Sequence, residues 1–332
     1  MRPVFRWSLQ RVRRGPLAWL VPVLAAVVAA AVLATAAVYA WPLRSADLQR
    51  AEPETLTFAS ATQRATQAIE AEAADPEVLP ECRSQLLTHD TRSAKAVLLL
   101  HGYTDCPGTF SGLAKLYFDQ GYNVWLPRAP RHGVTDRLAH TELRAEELTG
   151  YANAALNVTA GLGDEVGVVG LSGGGVLATW LTGHRPDVVR RVLLLAPFYK
   201  PNAAQAPSLA IKPLVVLFGF RLLPDRINSN GFSYAALSQY LRLVRNFAAD
   251  PKSPNLRGIA VVTSANDSFI DSQEAVAIPA GIADLNGTTV RKHELPREFG
   301  IGHNLVAPES LQGRADELYR LYLDLYEGGV RR

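Results

Sequence analysis

Short apolar blocks recur along the chain between longer mixed stretches, and they set the expected elements. Ala94–Leu100, Asn123–Pro127, Val166–Val169, Arg191–Leu195, Gly258–Thr263 and Thr288–Leu295 are too short for free helices and read as strands, most of them buried. Ser84–His89 reads as a further strand at the domain edge. Helix-compatible segments lie among them: Ala59–Ala74 with Ser60 as its expected cap, Thr141–Leu162, Val176–Leu181 and Pro308–Tyr326. Strands alternating with helices predict an α/β architecture with a mostly parallel central sheet flanked by helices. The alternation breaks over 198–256. That stretch holds the apolar block Leu214–Leu223 and the rings of Phe198, Tyr199, Phe218, Phe220, Phe232, Tyr234 and Tyr240, so an insertion is expected there.

One apolar run is of another kind. Leu17–Trp41 carries no charge and would span about 37 Å as a helix, against about 30 Å for a bilayer core. Trp19 and the Tyr39/Trp41 pair suit the two interfaces. Arg2, Arg6, Arg11, Arg13 and Arg14 precede the run and only Arg44 and Arg50 follow closely, so the positive-inside rule predicts a cytoplasmic N-terminus. Ala34-Thr35-Ala36 has the small-x-small form of a signal-peptidase site, which leaves cleavage and secretion as the alternative. The run exceeds the usual apolar region of a signal peptide, about 7–15 residues, and this favours an uncleaved anchor. Both readings export the body, an anchor leaving it in the periplasm on a bacterial inner membrane. The expected organisation is a basic segment 1–16, a transmembrane helix or signal anchor 17–41, a polar tether 42–81 and a folded domain 82–332.

Charge changes the picture little. The five leading arginines exceed the net charge of +3, so the remainder is net acidic and a nucleic-acid partner is not expected.

Chemistry gathers at Gly170-Leu171-Ser172-Gly173-Gly174. This G-x-S-x-G lies between the strand Val166–Val169 and an apolar helix, the context of a nucleophile elbow. Side chains two residues before and after the serine would collide where strand and helix cross. A dinucleotide-binding turn is the rival reading. Gly167 and Gly170 give G-x-x-G rather than G-x-G-x-x-G, no acid closes Arg191–Leu195, and no G-K-[ST] follows.

Together with His101-Gly102-Tyr103-Thr104-Asp105 after Ala94–Leu100, the elbow resembles the α/β-hydrolase fold, and within it the bacterial carboxylesterase and monoacylglycerol-lipase-like branch. The resemblance makes Ala94–Leu100 the third strand of the fold and the insertion 198–256 a lid after the sixth. It implies Ser172 as nucleophile, His303 as base and Asp267 as acid, with Asp271 the runner-up, in the family's chain order. It implies an oxyanion hole from the N–H groups of Tyr103 and Gly173. His101 is expected to be structural, and His293 an ordinary strand residue. Arg128-Ala129-Pro130-Arg131-His132-Gly133 resembles the family's P-G-H-G turn, with Arg131 in place of its first glycine. His132 and Asp136 are expected to be structural rather than metal ligands. Many relatives carry a larger residue after the nucleophile, and Gly173 is expected to enlarge the space nearby. Some of the insertion's aromatic rings are expected to line an acyl pocket.

Cys82 and Cys106 are the only cysteines. In an exported chain they suggest a disulfide, with two buried thiols as the alternative. The implied reaction is hydrolysis of small-molecule carboxylic esters, lipid-like or acylglycerol esters or thioesters included, through an acyl-enzyme. No metal, flavin or nucleotide cofactor is implied. An acyltransferase using the same intermediate, and a catalytically inactive membrane-anchored binding protein, are the other readings. Oligomeric state is not legible.

Overall fold

The structure is a computed structural model that describes residues 19–329. The basic segment 1–16 and the first residues of the apolar run lie outside the described residues. Helix α1 (Leu20–Ala40) is long and apolar enough to cross a membrane, and a signal sequence near the N-terminus has the same length and composition. It belongs to a unit of its own, Met1–Trp41.

The second unit begins at Pro42. Its elements run α2 (Phe58–Ala74), β1 (Gln85–Leu87), β2 (Ser93–Leu100), α3 (Ser111–Asp119), β3 (Tyr122–Leu126), α4 (Ala145–Leu162) and β4 (Gly163–Leu171). There follow α5 (Gly173–His184), β5 (Val189–Leu195), α6 (Ser208–Leu214), α7 (Tyr234–Val244), β6 (Gly258–Ser264), α8 (Ser272–Leu285), β7 (Val290–Leu295) and α9 (Ala315–Glu327). The sheet has seven strands in the order β1-β3-β2-β4-β5-β6-β7. Within it only the β1–β3 pairing is antiparallel; the other strands run parallel. Its central strands are covered on both sides, which is why they read as unbroken Val and Leu runs rather than alternating patterns.

Register decides where the chemistry meets. Leu100 pairs with Gly170, Leu171 with Leu195, and Ser264 with Leu295. The loops that leave β2, β4, β5, β6 and β7 therefore emerge at one edge, the C-terminal edge where α/β sheets hold ligands. These loops carry Tyr103, Ser172, Asp267 and His303.

The segment 42–81, expected as a tether, is part of the body. Leu48 is fully buried, and its carbonyl accepts the Trp180 indole N–H at 2.7 Å. Asn246, also buried, donates to the Leu43 carbonyl and accepts from the Ser45 N–H. Asn153 and Asn157 both donate to the Glu52 carbonyl. Helix α2 buries Ala61 and Ala65, and a Cβ on Gly161 of α4 would stand 2.6 Å from the Ala61 Cβ. The alanines that suggested a linker are small because helices pass closely there. The cap of α2 is Thr57, whose side chain accepts the Ser60 N–H, not Ser60 itself. The closing segment divides into a 3₁₀ turn, Pro308–Leu311, and α9, because Gln312 and Gly313 both take positive φ.

With β2 in third place, β5 is sixth in the family pattern, and the insertion lies where expected, between β5 and β6. Helix α6 passes into a π-helical turn, Val215–Gly219. Helix α7 is held down by the buried Gln239. Its Oε1 accepts the Ala145 N–H, and its Nε2 donates to the Gly219 and Ala235 carbonyls.

Candidate active site

Ser172 sits between β4 and α5 at φ 52° and ψ −110°, a strained conformation for a residue with a Cβ. Neighbouring strands hold it there. Its N–H donates to the Leu195 carbonyl at 2.9 Å, and its own carbonyl accepts the Phe198 N–H at 3.1 Å. The flanking glycines are required by close approach: a Cβ on Gly174 would stand 2.1 Å from the Leu100 carbonyl oxygen.

The Ser172 Oγ lies 2.8 Å from His303 Nε2, and His303 Nδ1 lies 2.7 Å from Asp267 Oδ2. Asp267 has a fully buried side chain, and its other oxygen accepts the Phe269 N–H at 2.8 Å. A buried acceptor at Nδ1 fixes that nitrogen as the N–H donor and leaves Nε2 facing the serine hydroxyl. Asn304 shapes the next turn by accepting the Val306 and Ala307 N–H groups.

The other candidates are engaged elsewhere. Asp271 caps α8 and pairs with Lys200 at 2.7 Å. His101 donates from Nδ1 to the Gly102 carbonyl and accepts the Ala129 N–H at Nε2, while burial pushes its pKa down to about 3. His293 lies within β7, opposite Val262. His132 bonds the Pro130 carbonyl, and Asp136 accepts the Leu138 N–H. Arg131 takes φ 63°, a left-handed backbone that favours glycine, and pairs with Glu147. Among the described residues, no group of three or more His, Cys, Asp or Glu is arranged to hold a metal.

Gly102 brings the β2 loop against the elbow: a Cβ there would lie 3.5 Å from the Ser172 Cβ. Tyr103 follows directly, and its N–H has no backbone acceptor among the described residues. Gly173 opens α5, so its N–H has no intrahelical partner. The Tyr103 hydroxyl accepts the Ser233 N–H at 3.1 Å, and burial raises its pKa. The same loop carries Asp105, which accepts from the Cys106 N–H and the Thr109 hydroxyl and lies within 3.5 Å of the Asn304 amide. Burial pushes its carboxyl up to about 6. Cys82 and Cys106 form a disulfide beside it.

The space expected beside Gly173 is not open. The Tyr240 ring fills it, with its nearest atom 2.7 Å from where a Cβ would stand. The usable volume lies elsewhere, in a cavity of about 340 Å³ bounded by Ser172, His303 and Tyr103. Phe198, Leu214, Leu237, Leu241 and Phe269 form its apolar wall; Asn228, Ser229 and Asn230 form a polar edge. Of the expected aromatic rings, Phe198, Phe232 and Tyr234 reach it. Tyr199 instead bonds Thr179, Phe218 packs at a tilt against Tyr234, and Phe220 lies under Arg242. Phe269 was missed, although its place two residues after Asp267 was a usable signal. The three polar edge residues resemble any turn and gave none.

A strained serine between a parallel strand and a helix, joined to a late histidine and an aspartate at one sheet edge, defines an α/β hydrolase. The chain belongs to the alpha/beta hydrolase family, whose model matches residues 97–310. Over 98 residues it is 36% identical to the thermostable monoacylglycerol lipase of Bacillus sp. (strain H-257). That match takes in 28% of this chain and 36% of the lipase, so it spans about a third of that relative. The fold resembles a monoacylglycerol lipase from Paleococcus ferrophilus with a TM-score of 0.55 and 17% identity, over 74% of this chain and 98% of that one. It also resembles a chain from work on the metagenome-derived lipolytic enzymes LipS and LipT. There the TM-score is 0.54 and the identity 20%, over 76% of this chain and 100% of that one. At such identities the likeness is one of fold.

Proposed function

We propose that this chain is a serine hydrolase of carboxylic esters. The reading rests above all on the continuous hydrogen-bonded line Ser172–His303–Asp267 at the mouth of an apolar cavity. His303 Nε2 takes the hydroxyl proton as Ser172 Oγ attacks the ester carbonyl. Asp267 holds the imidazole tautomer and stabilises the imidazolium. The N–H groups of Tyr103 and Gly173 stabilise the oxyanion. The proton then passes from His303 to the departing alcohol, leaving an acyl group on Ser172, and water repeats the sequence to release the acid.

The apolar wall suits an aliphatic acyl chain, and the lipase relatives favour acylglycerol or similar lipid esters as substrates, with thioesters open to the same chemistry. We further propose that α1 anchors the chain in a bacterial inner membrane with the arginine-rich segment 1–16 in the cytoplasm. The body, in which 42–81 is packed onto the domain 82–332, then lies in the periplasm. A disulfide at Cys82–Cys106 fits that oxidising compartment.

The test is hydrolysis of p-nitrophenyl esters of graded acyl length by the wild type and by Ser172→Ala, with fluorophosphonate labelling alongside. Activity should fall by roughly 10⁴-fold or more in the variant, and labelling should disappear. An unlabelled Ser172 in folded, ester-cleaving protein would sink the proposal.

A further inference from the structure

We infer that Tyr240 of the insertion is a positioning residue for the two N–H groups of the proposed oxyanion site; this rests on the hydrolase reading. Tyr240 is almost fully buried. Its ring atoms Cε1, Cζ and Cδ1 stand 2.7, 2.9 and 3.1 Å from where a Cβ on residue 173 would be. The same ring meets Tyr103 edge to face, with centroids 5.9 Å apart. One rigid ring therefore touches both residues whose N–H groups would face the oxyanion. Those two residues come from different loops, after β2 and after β4, and no hydrogen bond joins them among the described residues.

The ring is itself fixed. It projects from α7, which is capped by Ser233 and pinned through Gln239 to the start of α4 and to the π-helical turn. Ser233 also donates its N–H to the Tyr103 hydroxyl, which gives the insertion a second hold on the β2 loop. Gly173 has no positive φ, so its backbone conformation does not demand glycine. The room that Tyr240 occupies does. In this chain the insertion itself fills the space beside residue 173. The inner half of the insertion is part of the site's frame, not a cover over it. Because donor placement within a fraction of an ångström governs oxyanion stabilisation, loosening the ring lowers the rate of the chemical step more than it weakens substrate binding.

The experiment uses the full chain in detergent, with Tyr240→Ala, Tyr240→Phe, Gly173→Ala and the Gly173→Ala/Tyr240→Ala pair. Three quantities are read: kcat and KM for a short p-nitrophenyl ester, inhibition by a trifluoromethyl ketone of the same acyl length, and the urea midpoint. Tyr240→Ala should lower kcat about tenfold to a hundredfold, less than the loss of a whole donor, with KM within about twofold. The ketone, whose adduct carries the same oxyanion, should weaken in parallel. Tyr240→Phe should recover most of the rate, because the ring makes the contact. Gly173→Ala should also lose activity, and the pair should lose less than the product of the two single effects. A Tyr240→Ala enzyme with wild-type kcat and altered KM, or single effects that simply multiply, would overturn the inference. Should the wild type cleave no ester, the hydrolase reading fails separately. The urea midpoints then decide the contact: non-additive shifts uphold it and additive shifts overturn it.

Discussion

Gly170 and Gly174 approach so closely across the elbow that a Cβ on the first would lie 2.2 Å from the carbonyl oxygen of the second. Backbone cannot yield there as a flexible side chain would. Gly170→Ala should therefore cost about 3 kcal/mol or prevent folding, although alanine is otherwise the better helix and strand residue. Urea unfolding of the variant beside the wild type measures it, and a loss below about 0.5 kcal/mol would mean that the elbow accommodates a methyl group after all.

Asp267 and Asp271 are four residues apart but have different partners. Asp267→Asn should lower kcat by about 10³–10⁴, because an amide no longer holds the His303 tautomer. Asp271→Asn should keep kcat close to wild type and lose little stability, because an asparagine oxygen still caps α8 and only the Lys200 pair is weakened. Steady-state kinetics and thermal melting on both variants separate the roles, and the reverse pattern would reassign the acid.

Asp105 gives the stability a pH dependence opposite to that of most carboxylates. Burial raises its pKa from 3.8 to about 6, so between those values the native chain holds a proton that the unfolded chain has released. Its contribution is full below about pH 4 and is lost as pH rises through about 6. The effect is on the order of 2–3 kcal/mol. The difference in stability between wild type and Asp105→Asn, measured from pH 4 to pH 7.5, should drift in the variant's favour as pH rises. A flat difference would show that the carboxyl titrates normally.

The Cys82–Cys106 bridge closes a sequence separation of 24 residues. Replacing both cysteines by serine should lower stability by about 3 kcal/mol through the freer unfolded chain. Calorimetry of the double variant against oxidised wild type tests this.

Leu48 and Trp180 tie residues 42–81 to the body. A fragment starting at Leu43 should fold, whereas one starting at Cys82 should aggregate or melt far lower. Leu48→Ala alone should cost about 2–5 kcal/mol. Equal melting temperatures for the two fragments would restore the tether reading.

Much of the fold was legible because its signals are local. A buried parallel strand must be a short apolar run whatever surrounds it, so β2 to β6 could be read within a few residues of their ends. The strained turn at Ser172 needs small neighbours within a few positions, so the elbow was legible too. Residues 42–81 were misjudged because alanines and polar side chains on a half-buried helix have the composition of a linker. Only the partner helix α4, far along the chain, shows which face is covered.

By itself, then, the sequence determined the strand and helix alternation, the apolar N-terminal run, the elbow and the short set of side chains suited to meet at it. Those follow from backbone sterics and hydrophobic spacing over a few residues. Tertiary structure alone decided that the runner-up Asp271 turns to Lys200, that 42–81 packs on the body, and that Tyr240 occupies the space beside Gly173. Each depends on which distant surfaces come into contact, and no local pattern encodes the atom that fills a gap left by a missing Cβ.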